Sequence, residues 1–598
     1  MSEWADTLPG LEPIPKSHPR PSGRLVQVQP DITAIDQSFT YEVPTNWETD
    51  GRAERVAVGS LVRVDFGGRR TAGWVTAVDV EHDPSVAVAE LAKWSSVGPP
   101  LSVIELLDWA THRWYGRRAH FLRAASPPKM VAQVATAGIQ SAKEPGVVGP
   151  MHALFDKLGV SVVETPPADR GVDLAIGAAA KGHALILVPT IADRRHLAKA
   201  LRDNGVPAAE YPDQWGRSAA GAVTIGTRLG ALAPIDAIDA VLVLDEHDTA
   251  YKEERTPSWN ARDIAIERAR RSGAPCVLAS PTPTLEALEL AERRLVPERS
   301  AQRNGWPHVQ VIDMRRAENP GLLSAELVDV VRGDGTVACI LNRKGRAQML
   351  ACARCDSLAD CEACGAAVQQ PDNDLVCRAC GTRRPVVCGE CGSTAFKLIR
   401  PGLSRVAEEL AALAKRPVVE VTAETEEKEF RSEHLFIGTE ALLHRIDSAR
   451  AVVFLDFDQQ LAQPRTRAAE QAFALLALAA RRVGRRAGGG RVMVQTRRPN
   501  DPVIDAAVHG EPGRVARAQQ NVRMQLQQPP YGAWALVSGA GGEDFIASLE
   551  SLDSTVQIRH LGDRWRVSAQ NHDELLGALH AAERPGERLR VEVDPLDI

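Results

Sequence analysis

Eight of the ten cysteines fall as four C-x2-C pairs, Cys352/Cys355, Cys361/Cys364, Cys377/Cys380 and Cys388/Cys391. Two intervening residues let the backbone turn back and aim both sulfurs at one ion, so two such knuckles supply the four thiolates of a tetrahedral structural zinc. Eight ligands make two closed sites. The gaps between the pairs are five, twelve and seven residues. Five is short for a ribbon hairpin, whereas twelve suits one. This favours a nested pairing, with Cys361, Cys364, Cys377 and Cys380 on one ion and Cys352, Cys355, Cys388 and Cys391 on the other, ahead of sequential or interleaved pairings. A disulfide lattice confined to so short a stretch of a long chain is disfavoured. Four sulfurs per ion leave no open coordination position, so the two Zn2+ ions are expected to build structure and not to activate water.

A second group of residues points to nucleotide chemistry. Val241-Leu242-Val243-Leu244 is a continuous apolar run that delivers Asp245, Glu246, His247 and Asp248 at its carboxyl end. Nucleotide-hydrolysing enzymes hold magnesium and polarise water at such a place. Open α/β sheets also end strands in polar residues, and for Asp245 and Glu246 that structural role is weighed above magnesium binding. No phosphate cradle of the form G-x-x-x-x-G-K-[ST] occurs in the chain. Basic groups suited to nucleic acid are local. Arg69 and Arg70 follow a Gly67-Gly68 turn, Arg343, Lys344 and Arg346 precede the cysteine array, and Arg465 to Arg498 holds nine arginines and one acid, Glu470. Such clusters neutralise phosphates without reading sequence. A solvated helix face is the alternative reading of the last.

These groups need a multidomain scaffold. The chain has 598 residues, 44% apolar and 25% charged, with net charge −6, so contacts to nucleic acid must come from patches and not from the overall field. No apolar run approaches the ~20 residues that span a bilayer, and the chain does not open on a secretory pattern. A soluble, cytoplasmic protein without a membrane partner is therefore expected. Residues 1–23 are proline-rich and read as a disordered lead-in. Residues 24–95 read as a small β domain in which Phe39, Tyr41, Arg69 and Arg70 offer a grip for a nucleic-acid end. Residues 96–130 read as a helical or winged-helix module with Ile104, Leu107, Trp109, Trp114 and Tyr115 on its apolar face, followed by a linker at 131–149. Residues 150–330 alternate short apolar strands with helices, the pattern of a parallel sheet. A second such segment, 331–348 and 395–500, surrounds the cysteine array at 349–394, and 501–598 reads as an α+β domain. The expected fold is α/β multidomain, with two tandem parallel sheets and an inserted double-zinc module.

The order of short motifs is specific. G-T-R, D-E-H-D-x-x-Y-K, S-x-T-P-T-L-E, L-N-R-K-G, four C-x2-C pairs, G-T-E, R-A-A-E and V-Q-T resembles the PriA family of primosomal replication-restart proteins. The resemblance covers roughly residues 24 to 540. It implies a superfamily 2 helicase-type core of two RecA-like lobes, a zinc insertion with the nested pairing, an N-terminal domain that captures a DNA 3′ end, a winged helix and a C-terminal domain. It also implies binding to stalled or abandoned forks, D-loops and single-strand/duplex junctions, with primosome components, the replicative helicase and single-strand-binding protein as partners. Phe39 and Tyr41 match the family's F-D-Y, with Thr40 in place of its Asp.

The motor motifs depart from that pattern. Where active members carry G-x-T-G-S-G-K-T, this chain has Glu164-Thr165-Pro166-Pro167-Ala168-Asp169-Arg170-Gly171, with no G-K-T and two prolines that cannot donate amides. The family's D-E-E-H box reads Asp245-Glu246-His247-Asp248. Its final arginine motif survives as Leu478-Ala479-Ala480-Arg481-Arg482-Val483-Gly484-Arg485, with Arg482 and Arg485 at the finger positions. These departures lead to a restart factor of a divergent actinobacterial type that binds DNA and keeps the helicase fold without its ATPase. The alternatives are an ATP-driven 3′ to 5′ helicase with an atypical nucleotide site, and a zinc-stabilised interaction scaffold that does not bind DNA.

Overall fold

The computed structural model describes residues 21–596 apart from 82, 84–86, 136–149, 316–321, 342–349, 371–373, 378–379, 399–402, 423–424, 426–429, 431–433 and 553–554. Arg343, Lys344 and Arg346 lie outside the described residues.

Alternating apolar positions in Leu25–Pro30, Phe39–Glu42, Leu61–Phe66 and Arg69–Val78 build an N-terminal sheet, extended by Ala89–Glu90 and Lys93–Ser96. Val26, Val28, Tyr41, Val62, Val64 and Val75 point to one side and form its own small core. Helices Leu101–Arg113 and Arg118–Ala125 follow, and among the described residues no strand lies between 97 and 158. Of the two forms expected for 96–130, the helical one is therefore present. Its aromatics are packing groups: Trp114 is fully buried, and Trp109 and Phe121 pack edge-on or tilted against Trp114 and Trp259 at 5.4 and 6.3 Å.

The first lobe is an all-parallel sheet. In spatial order it runs Arg293–Leu295, Gly159–Glu164, Pro275–Ser280, Ala240–Leu244, Ala184–Leu187, Thr224–Gly226 and Ala209–Glu210. Its central strands are apolar on both faces because helices cover both sides; every residue of Ala184–Leu187 and Ala240–Leu244 is buried. The second lobe is also all parallel, in the order His308–Asp313, Arg491–Thr496, Ala451–Phe454, Val337–Ile340, Leu435–Gly438 and Val419–Val421. The two sheets are the two tandem parallel α/β lobes expected from the sequence.

Two expected boundaries move. Strand His308–Asp313 pairs with Arg491–Thr496, so the second lobe begins before residue 330. Helices Pro502–His509 and Gly513–Gln525 bury Val503, Ile504, Ala506, Ala507 and Val515 in the second lobe's core, so the C-terminal domain begins near Ala533 and not at 501. In both cases the apolar face of a flanking element completes the lobe, a long-range pairing that the local pattern does not specify.

The cysteine array forms two small sheets between the strand Val337–Ile340 and the helix Leu403–Ala414: Leu350–Cys352 with Phe396–Leu398, and Val368–Gln369 with Asp374–Cys377 and Arg383–Pro385. It is fastened to the second lobe by the Ala367 amide donating to the Ala462 carbonyl at 3.1 Å and by an Arg498–Asp360 ion pair. The C-terminal domain is a four-stranded antiparallel sheet covered on one face by helices Gly542–Ser551 and His572–Ala581. It docks on the first lobe, where Lys252 Nζ donates to the Val593 carbonyl at 2.7 Å, and on the helical module, where Arg113 donates to Asp594 at 2.7 Å; His572 of the same domain bonds Asp594 at 2.7 Å.

Just past strand Ala451–Phe454, Asp456 is 6% exposed; its Oδ2 accepts from Gln459 at 2.8 Å and its Oδ1 has no partner. Burial, then the Asp458 charge, pushes its carboxyl up to about 6. Because the folded value lies above the ordinary value of about 3.9, ionisation of Asp456 works against folding above pH 6, and that penalty is relieved as pH falls from 6 towards 4. Asp456→Asn should therefore be more stable than the parent at pH 7.5 by about 1–3 kcal/mol, with about half of that advantage gone at pH 5. Thermal melts across this range measure it; a pH-independent difference would contradict the assignment.

Candidate functional site

Each knuckle of the array is built by the same turn. The residue after the second cysteine has positive φ, Asp356 at 59°, Gly365 at 72°, Gly381 at 76° and Gly392 at 71°. Its amide returns to the carbonyl of the first cysteine at 2.8–3.0 Å. Glycine stands at three of these positions because a left-handed residue is wanted there, and Asp tolerates it at the fourth. The knuckles meet in the nested arrangement. Cys352 and Cys391 lie 3.5 Å apart and Cys355 and Cys388 3.6 Å apart; Cys361 and Cys380 are at 3.4 Å, and Cys364 and Cys377 at 3.5 Å. In each cluster all four sulfurs fall within 4.8 Å of one another. A tetrahedral ion with bonds of about 2.3 Å requires sulfurs about 3.8 Å apart, so both donor sets fit a metal with little adjustment. Backbone amides of Cys355 and Arg354 stabilise the thiolate of Cys352, pulling its pKa down to about 6.

Between the lobes lies a cleft of about 550 Å3 lined by Asp245, Glu246, His247, Asp248, Arg481 and Arg482. Beside it a second cavity of about 30 Å3, room for a water or two, is lined by Thr165, Asp169, Arg170, Gly171, Asp245 and Arg481. The strand-to-helix turn explains this. Thr165 donates its amide to Ser280 and Asp169 to Pro166, both at 2.9 Å, while the Asp169 carboxylate takes the Gly171 amide at 2.8 Å. A carboxylate thus sits at the helix start, where a phosphate would otherwise be received. A Cβ on Gly171 would come within 2.4 Å of Leu244, so the turn is also packed tightly onto the acid-bearing strand.

The acids are consumed as well. Asp245, itself in a left-handed conformation at φ 50°, forms a bidentate pair with Arg481, both bonds 2.6 Å, and Arg481 Nε donates to the Pro167 carbonyl at 2.8 Å. One guanidinium from the second lobe therefore joins the strand end at Asp245 to the turn at Pro167 on the first. Burial alone would raise the Asp245 carboxyl, but the Arg481 charge outweighs it and holds the pKa below the usual carboxylate value. Glu246 accepts from the Thr284 amide at 2.7 Å, the Thr284 hydroxyl at 2.9 Å and Arg262 at 3.3 Å. His247 bonds Ser280 at 2.8 Å, and Asp248 takes the Ala250 amide at 2.8 Å. Asp245 and Glu246 are thus both engaged by protein partners, Asp245 by Arg481 and Glu246 by Thr284 and Arg262.

The arginine run does not form one basic surface. Arg467 binds Glu286 at 2.6 Å, Arg482 donates to the Leu443 carbonyl at 2.6 Å, and Arg498 holds Asp360. Arg485 stays exposed. Arg481, one residue before Arg482, is the arginine that bonds across the cleft to Asp245; the doublet in the sequence does not say which of the two does so.

In the N-terminal domain, Arg69 and Arg70 project from the hairpin tip, where Gly67 and Gly68 take φ of 56° and 74°. Arg70 has only a loose, exposed partner in Asp65 at 3.7 Å. Tyr41 departs from expectation: it is 5% exposed, because strand alternation places it inside the domain's core, with its hydroxyl turned to the Asp65 carbonyl at 3.4 Å. Phe39, on the same side, is half-buried against Phe66, the rings 5.0 Å apart. Neither is an open stacking platform.

Arg481→Met leaves Asp245 unpaired in the cleft and should lower stability by about 3–5 kcal/mol, whereas the Arg481→Met/Asp245→Leu pair should recover most of the loss. Denaturant titration of the single and double variants measures it, and an additive loss would show that the two groups are not coupled.

Comparison with known proteins bears on the whole chain. Residues 25–127 match the 3'DNA-binding domain (3'BD) family of PriA. The replication restart protein PriA of Bacillus subtilis is 27% identical over 402 residues, covering 60% of this chain and 50% of the relative. The chain likewise spans about half the length of the Rickettsia prowazekii and Synechocystis relatives, 53% and 49%. The probable replication restart protein PriA of Mycobacterium leprae is 26% identical over 570 residues, covering 86% of this chain and 87% of the relative. With this alignment and the 3'DNA-binding-domain match at residues 25–127, the chain, which carries two tetracysteine clusters in its second parallel-sheet lobe, is similar to the replication restart proteins named PriA.

Proposed function

We propose that the protein is a replication restart factor that binds DNA 3′ ends, stalled or abandoned forks and D-loops, and that its helicase-type core serves as an ATP-independent scaffold. One observation carries the second half: the Arg481 guanidinium is seated on Asp245 and Pro167, a cation standing where magnesium and phosphates would have to be held. Its displacement would leave a buried charge unpaired at a cost of about 3–5 kcal/mol, enough to weaken a nucleotide roughly 100- to 4,000-fold.

DNA binding does not need that motor, since affinity for the phosphate backbone comes from cations already in place. Arg69 and Arg70 at the hairpin tip are the first such cations, within the segment that matches a 3'DNA-binding domain. The two tetracysteine clusters would each hold one structural Zn2+, whose closed coordination fixes the array against the second lobe. Named relatives are replication restart proteins, which makes primosome components, the replicative helicase and single-strand-binding protein the expected partners, in the cytoplasm. Among the described residues no helix is long and apolar enough to cross a membrane.

The test is a titration of the purified chain against a labelled fork and the matching duplex at fixed salt, with and without ATP and magnesium, while phosphate release is followed. Fork-preferring binding without phosphate release is expected; DNA-stimulated release would overturn the scaffold reading. Replacing Arg69 and Arg70 together by serine should weaken fork binding roughly tenfold and reduce its salt dependence. Metal analysis should give two zinc ions per chain, and Cys361→Ser should lose one of them, as measured by atomic absorption after exhaustive dialysis.

A further inference from the structure

Two helices from different modules meet, at their last turns, on a pair of histidines. His112 lies at the end of helix Leu101–Arg113, and His580 at the end of helix His572–Ala581 in the C-terminal domain. Their rings stack face to face, with centroids 4.2 Å apart and planes within 7°. A backbone carbonyl can only accept, so the 2.9 Å contact between His580 Nε2 and the His112 oxygen places a proton on Nε2. Nδ1 is then the nitrogen of His580 left to take up another. Both residues are exposed, so solvent reaches the ring edges while the faces cover each other.

The acids around this stack are already matched. Tyr115 lies 5.0 Å from the His580 ring and carries the Arg584 guanidinium over its own ring at 4.8 Å. Arg117, whose charge acts on Arg584, is paired with Asp36 at 2.5 Å. Arg113, next to His112, is paired with Asp594 at 2.7 Å, and His572 bonds the same acid. Among the described residues no carboxylate bonds either ring of the stack. Helix C-terminal ends favour a cation, which suits one proton on the pair. A second proton would set two like charges face to face. Partial burial lowers the His580 pKa; the bond to the His112 carbonyl opposes this, and the His112 and Arg584 charges add to the lowering.

We propose that the stack of His112 and His580 is a proton-operated clasp between the helical module and the C-terminal domain, closed while the rings share at most one proton and loosened when both are charged. The docked state holds His580 below the ordinary value of about 6.5, so the separated state binds protons more readily and docking weakens as pH falls below that value. At higher pH the stack contributes fully. Two unit charges about 4 Å apart in water repel enough to shift such an equilibrium roughly fivefold. Lys252, another titrating group of this joint, is pulled down only to about 8 and stays protonated throughout the acid range.

The test is hydrogen exchange of the full zinc-loaded chain at about pH 7.5 and about pH 5, read on peptides from residues 101–113 and 572–581 and corrected for the intrinsic rate. The parent should open roughly fivefold more often in acid, and His112→Phe, which keeps a ring to stack but cannot be charged, should lose that response. His580→Gln, which keeps an amide donor for the His112 carbonyl, should lose it too, and it decides the outcome if the phenylalanine variant is already open at the higher pH. His120, whose pKa burial also lowers, titrates in parent and variants alike and cancels from the comparison. An acid response in His580→Gln equal to the parent's would overturn the clasp, as would a parent whose exchange in these helices is the same at both pH values.

Discussion

The ion pair between Arg481 and Asp245 is the constraint on which the two-lobe arrangement turns. A carboxylate at the end of a buried strand has to be neutralised. The charge is met from the other lobe, with both oxygens engaged and the remaining Nε spent on the Pro167 carbonyl. Once that is done, the phosphate turn can close on itself, with Asp169 and two prolines where a glycine-rich cradle would keep its amides free. Loss of the cradle and capture of the acid support each other.

A second ionic group stiffens the same seam. Glu286 of the first lobe accepts from Arg467 of the second at 2.6 Å and from Arg523 at 3.2 Å, and Arg523, 1% exposed, also holds Glu470 at 2.6 Å. Arg262 and Glu246 extend the group into the first lobe. Buried charges of this kind contribute little net stability relative to an apolar filling, but they demand their partners and so define one relative placement of the lobes. The C-terminal domain is locked to the first lobe in the same manner through Lys252, Arg113 and Asp594, over an apolar cluster that runs from Trp74 through Trp114 and Tyr251 to Phe545. The two N-terminal helices, first lobe and C-terminal domain thus share one core, to which the N-terminal sheet contributes Trp74, and the cysteine array rides on the second lobe.

What the sequence by itself determined is what short-range geometry specifies. C-x2-C spacing and the twelve-residue gap gave the nested clusters, and continuous apolar runs such as Val241 to Leu244 gave the buried parallel strands, because both signals are complete within a few residues. The Gly-Gly turn before Arg69 likewise carried its own conformation. Tertiary structure alone decided which arginine crosses the cleft, since Arg481 and Arg482 are chemically equal and only the rotation of helix Ala468–Val483 against the first lobe separates them. It alone buried Tyr41, dispersed the arginine run among acids far away in the chain and moved His308–Asp313 into the second sheet. Each of these depends on partners hundreds or scores of residues distant, chosen by packing and charge neutralisation after the local elements have formed.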